Sequence, residues 1–109
     1  MLTERHIDEI GRRIVAAARS PATVIVFGSY GRGNATEDSD LDLIVVEREL
    51  PDPTGEYLRL REAVGAMDVG VDLLLLPRAE FERRRNWASS PVYWACREGR
   101  VIHDGSLAD

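Results

Sequence analysis

At 109 residues with 44% hydrophobic content, the chain has material for one small core and at most one domain, spanning residues 1–109. A formal net charge of −5 argues against broad DNA or RNA binding, which needs a basic face, and no apolar run approaches bilayer-spanning length. Cys96 is the single cysteine, which excludes an internal disulfide and a cysteine-rich zinc site. The charged amphipathic opening Met1-Leu2-Thr3-Glu4-Arg5-His6 does not read as a signal peptide, so a cytoplasmic protein without membrane contact is expected.

Taken in chain order, Thr3 is placed to cap a first helix whose Ile7, Ile10, Ile14 and Ala18 form one apolar stripe, ended by Ser20-Pro21. Val24 to Phe27 predicts a first strand that stops at Gly28, and Leu41, Leu43, Ile44, Val45 and Val46 predict a second. Pro51, Pro53 and Gly55 mark a loop, after which Tyr57, Leu58, Leu60, Ala63 and Val64 suggest a returning helix. Val69 to Leu76 reads as a buried third strand closed by Pro77. A charged helix follows from Ala79. Ser90-Pro91 supplies the cap and first residue of another, Val92 to Glu98, ended by Gly99, and Val101-Ile102 suits a short edge strand.

The run from Gly28 to Asp42, GSYGRGNATEDSDLD, carries the chemistry. Gly28 lacks a Cβ, so its backbone can approach an anion or adopt positive φ. Ser29 adds a hydroxyl and an amide where the chain turns into a short helix, and free N–H groups at a helix start attract phosphate. Gly31 and Gly33 keep the turn open around Arg32, whose guanidinium can pair with phosphate or with a neighbouring acid. After ten intervening residues, in an extended stretch, Asp40 and Asp42 project to one side while Leu41 and Leu43 project to the other. Two carboxylates on one face repel unless a hard cation sits between them, and Mg²⁺ carrying substrate phosphates is the usual occupant. Asp38 is in phase with the pair but suits the solvated approach to the strand.

Three other patterns fail on the same residues. Gly28 to Gly33 has the glycine spacing of a P-loop, but Asn34 and Ala35 stand where Lys and Ser or Thr are required. A Rossmann fingerprint would need a glycine at Thr36. Asp38, Asp40, Asp42 and Glu49 fall at EF-hand positions 1, 3, 5 and 12, yet Leu43 occupies the position where the loop needs glycine.

Asp72 is the lone charge in VGVDLLLL, and a charge in a buried strand needs a metal, a bound nucleophile or an arginine beside it, or a proton that neutralises it, with the catalytic reading favoured by the other two carboxylates. Asp68 suits a turn before that strand. All fourteen basic residues are arginine, which removes lysine nucleophiles, and neither His6 nor His103 neighbours a candidate nucleophile. Direct metal-assisted transfer is therefore favoured over a covalent intermediate. Arg83, Arg84 and Arg85 point in different directions from a helix and suit a solvated surface, with a polyphosphate or an acidic partner as the alternative. Trp87, Tyr93 and Trp94 suit either core positions or interface anchors.

Gly28-Ser29, Arg32-Gly33, Ser39-Asp40-Leu41-Asp42-Leu43 and the later Asp72 together resemble the polymerase β-like nucleotidyltransferase superfamily, and its short minimal nucleotidyltransferase members in particular. The resemblance implies an α+β fold in αβαβαβ order, with a small mixed β-sheet flanked by helices. It implies transfer of AMP from ATP with two Mg²⁺ ions on Asp40, Asp42 and Asp72, and triphosphate held by Gly28, Ser29 and, more loosely, Arg32. It also implies a HEPN-domain toxin as partner, silenced when a tyrosine hydroxyl receives AMP from its antitoxin. A small-molecule transferase of the antibiotic-modifying kind and a binding-only antitoxin remain the alternatives.

Overall fold

The computed structural model describes residues 1–105. Its elements are α1 (Glu4–Ala17), β1 (Ala22–Phe27), α2 (Gly28–Arg32), β2 (Leu41–Glu47), α3 (Pro53–Val64), β3 (Val71–Pro77), α4 (Arg78–Arg84), α5 (Pro91–Glu98) and β4 (Arg100–Asp104). The strands form one sheet in the order β3-β2-β1-β4. β1 runs antiparallel to both β2 and β4, and β2 runs parallel to β3, so the sheet is mixed as expected. The parallel β2–β3 pair requires a crossover, which α3 supplies.

Side-chain alternation divides the two central strands between two cores. Val24 and Val26 of β1 and Leu41, Leu43 and Val45 of β2 pack with Ile7, Ile10 and Ile14 of α1 and Leu60 and Val64 of α3. Ile25, Ile44 and Val46 face the other way, onto Phe81 of α4 and Val92 and Ala95 of α5. Both faces of β1 and β2 are covered, which is why these strands read as continuous apolar runs rather than alternating ones.

Helix boundaries follow their caps. The Thr3 hydroxyl accepts from the His6 N–H at 3.2 Å, and the Ser90 hydroxyl from the Val92 N–H at 3.2 Å, each cap worth about 1 kcal/mol. One sequence expectation fails here. Pro53 and Gly55 belong to α3 rather than to a loop, because Asp52 caps the helix through Gly55 N–H at 3.1 Å and Pro53 takes the first helical position, which needs no donor.

The third strand also differs from expectation. β3 begins at Val71 and lies at the edge of the sheet, so only Val71 and Leu76 are buried, the other apolar residues are partly covered and Asp72 is exposed. Its apolar run packs one residue after another against both cores without burying the strand. The Arg61 guanidinium donates to the Val71 carbonyl and ties the start of this edge strand to α3.

Trp87 and Trp94 are about half exposed, at 48% and 49%, rather than core residues. Trp94 Nε1–H donates to the Ala88 carbonyl at 2.8 Å, and its ring meets Tyr93 edge-on at 5.0 Å. Among the described residues, no helix is long and apolar enough to cross a membrane.

Candidate active site

The end of β1 leads directly into α2, and that junction faces the start of β2. Phe27 is paired with Asp42 across the antiparallel ladder, which places Gly28 beside the Asp42 side chain. Gly28 has φ +64°, the left-handed region that favours glycine, and a Cβ there would collide with the Asp42 carboxylate. The short helix therefore begins against a carboxylate. No side chain caps α2, so the amides of its first turn are left for solvent or an anion. Gly31 serves a different purpose from the open turn expected for it. It lies within α2, close to the Val26 carbonyl and the Gly99 Cα, where a Cβ would push the helix off the sheet.

Asp42 and Asp72 are register partners in the parallel β2–β3 ladder. Adjacent strands carry register partners on the same face, so the two carboxyls meet, close enough for a side-chain hydrogen bond. Burial raises the Asp42 pKa, and the Asp72 charge, the hydrogen bond to Asp72 and the Asp40 charge raise it further; the Arg32 guanidinium opposes them. Arg32 also pairs with Glu98 at 3.3 Å, a partner contributed from α5, so its charge is shared between a surface acid and the site. Asp72 is exposed rather than buried as the apolar run led one to expect, and what joins it to the site is register.

Asp40 precedes β2 and is exposed, with its carboxylate against the backbone of Gly70. The Leu41 N–H donates to the Gly70 carbonyl at 2.8 Å, which holds the approach to β2 beside the approach to β3. Gly70 thus backs Asp40, a function the sequence signals only by a glycine two residues before Asp72. Asp38 lies outside, in a turn closed by Thr36 N–H to Ser39 Oγ at 2.9 Å and Ser39 N–H to the Thr36 carbonyl at 3.1 Å.

The donor set is chemically suited to a hard divalent cation: three carboxylates contributing oxygen alone, two in contact and the third within electrostatic range of Asp42. The elevated Asp42 pKa marks negative charge that lacks a full counterion, which a cation would neutralise. As placed, these side chains do not amount to a finished cage. Among the described residues, no three His, Cys, Asp or Glu groups converge closely enough to hold a metal ion by themselves. Phosphate oxygens and water would complete such a coordination shell.

Comparison with known proteins places the chain in a family. Residues 8–93 match the family model described as Nucleotidyltransferase domain. Two Methanocaldococcus jannaschii proteins assigned by name to the protein adenylyltransferases are similar in sequence. MJ1305 is 55% identical over 29 residues, 27% of this chain and 20% of its own length, and MJ0141 is 33% identical over 54 residues, 50% of this chain and 54% of its own. The matched segments therefore span about half or less of those relatives. A toxin–antitoxin crystal structure with AMP-PNP superposes with a TM-score of 0.62 at 21% identity, covering 94% of this chain and 74% of that one, a likeness of fold.

Proposed function

Because this chain belongs to the nucleotidyltransferase domain family, we propose that it transfers AMP from ATP to a hydroxyl of a partner protein, a tyrosine of a HEPN-domain toxin, and acts as the antitoxin of that pair. The observation that carries the reading is the register-matched Asp42–Asp72 carboxyl pair standing against the uncapped start of α2. The names of the similar proteins support it, one set as protein adenylyltransferases and one structure as a toxin–antitoxin with AMP-PNP.

In this reading the amides of Gly28 and Ser29, with the Ser29 hydroxyl, hold the β- and γ-phosphates that leave as pyrophosphate. Arg32 adds positive field at the same turn, moderated by its pairing with Glu98. Asp40, Asp42 and Asp72 would hold two Mg²⁺ ions, which supply charge neutralisation on the triphosphate and acidify the acceptor hydroxyl. Asp72 is exposed on the edge strand, whereas the equally exposed Asp40 lies against Gly70, so Asp72 faces the direction from which an acceptor arrives and is the group placed to take its proton. Gly70 and the Leu41–Gly70 hydrogen bond fix the Asp40 backbone before substrate binds. Oxygen attacks the α-phosphorus as the α–β bridging bond breaks, and the hydroxyl proton passes to the acidic pair.

The test is labelling of the cognate HEPN-domain toxin by the intact chain with ATP radiolabelled on its α-phosphate and Mg²⁺. The expected result is label on a tyrosine, lost by about a hundredfold or more when Asp40→Asn and Asp42→Asn are combined. Full labelling by that double variant overturns the proposal.

A further inference from the structure

The end of β2 remote from Asp42 carries a second acidic pair that nucleotide transfer does not use. Glu47 closes the strand on the face toward α3 and is 1% exposed, and neither of its carboxylate oxygens has a hydrogen-bond partner. Glu56 of α3 lies beside it, 5% exposed; its Oε2 accepts the Arg19 N–H at 2.8 Å while its Oε1 has no hydrogen bond. Both line a cavity of about 130 Å³ together with Arg19, Ser20, Glu49 and Asp52. The guanidinium groups of Arg59 and Arg19 stand 3.6 Å and 4.0 Å from Glu56 Oε1 and are themselves largely exposed, so they engage Glu56 from outside.

Two buried carboxyls in contact persist only with a proton or a cation between them. Burial and the neighbouring Glu56 push Glu47 up to about 8, with the Ser20 backbone opposing, so near neutrality the pair holds a proton. The cavity is much larger than a proton requires. A single ordered water needs about 15 Å³ of such space, so an organic head group and its stem fit. Among the described residues no three His, Cys, Asp or Glu groups converge on a metal, so the cavity offers a cation two glutamates rather than a coordination shell. An alkylammonium presents three donors, and once the shared proton leaves, three buried oxygens are open to them: both oxygens of Glu47 and Oε1 of Glu56. The chain has no lysine to supply that group itself.

We propose that the Glu47–Glu56 cavity binds a primary alkylammonium, supplied either by a free linear polyamine or by the lysine side chain of a partner protein. Glu49 and Asp52 at the cavity rim attract the cation, and its N–H groups bond to the two glutamates as the proton they share leaves to solvent. No covalent bond changes.

The experiment is calorimetric titration of the intact chain with spermidine and, separately, with Nα-acetyl-lysine methylamide, each near neutral pH in two buffers of different ionisation enthalpy. Saturable binding with release of about one proton is expected, strengthening as pH rises toward 8. Glu47→Gln, which keeps the side-chain shape and can donate to Glu56, should weaken binding by about tenfold or more and abolish proton release. Asp42→Asn should leave it unchanged. Tighter binding of spermidine assigns the site to a free polyamine, and equal or tighter binding of the lysine derivative assigns it to a partner's lysine. Absence of saturable binding by either probe, binding without proton release, equal binding by Glu47→Gln, or loss of binding in Asp42→Asn overturns the proposal.

Discussion

Asp42 and Asp72 stand on one rung of the parallel β2–β3 ladder with their carboxyls in contact, an arrangement that costs folding energy and is kept where a ligand can use it. A carboxyl whose folded pKa lies above its unfolded value binds a proton in the folded state that the unfolded chain has already released. Its contribution is therefore greatest below the ordinary carboxylate range and is lost as pH rises through the folded value.

The first prediction follows from that repulsion. Asp42→Asn should raise the melting temperature of the unliganded chain at neutral pH, by a few degrees at most because the group is only partly buried. It should also flatten the fall in stability on leaving acid pH, while transfer drops by about a hundredfold or more. Thermal melts across pH, set beside single-turnover assays, check both halves. A variant less stable than the parent at neutral pH would contradict the account of the pair.

A second prediction separates backbone conformation from site geometry. Gly28 and Gly33 both have positive φ, +64° and +80°, but a Cβ at Gly28 meets the Asp42 carboxylate whereas at Gly33 it meets nothing within 4 Å. Gly33→Ala should cost about 1 kcal/mol of stability and leave transfer nearly intact. Gly28→Ala should cost the same backbone strain plus displacement of Asp42, and lose transfer by far more than its stability loss accounts for. Denaturant melts with initial rates on the two variants distinguish these outcomes.

The third concerns the opposite end of the sheet. With Glu47 held near 8 in the folded chain, against an ordinary value near 4.5, stability should decline progressively between about pH 5 and 8. Glu47→Gln should remove most of that decline and leave the protein more stable than the parent at pH 8. The pH profile of the melting temperature reports it, and an unchanged slope in the variant would contradict shared protonation of Glu47 and Glu56.

Much of this architecture is legible in the chain. The β-branched runs placed β1 and β2, and Thr3, Ser90-Pro91 and Gly99 marked helix ends because capping is local chemistry. Gly28 to Asp42 announced its turn and its acids. What escaped was tertiary. A run such as VDLLLL is equally apolar at the edge of a sheet or at its centre, so the exposure of Asp72 could not be read from it. Pro53 and Gly55 punctuate loops in most settings, and only the Asp52 cap turns them into a helix start. Glu47 and Glu56 gave no signal, because an acid at the end of an apolar strand or on a helix usually points to water.

β2 is apolar on both faces along nearly its whole length, so hydrophobic pattern alone leaves its alignment with β1 and β3 weakly determined. Asp42 and Glu47 are five residues apart and therefore point to opposite faces at opposite ends of the strand. A slip by one residue would drive Asp42 into the packed layer occupied by Leu41 and Leu43, and would lift Glu47 out of its cavity. The two acids thus act as locating pins. The carboxylate proposed for nucleotide chemistry also tells the central strand where to stop sliding as the sheet assembles.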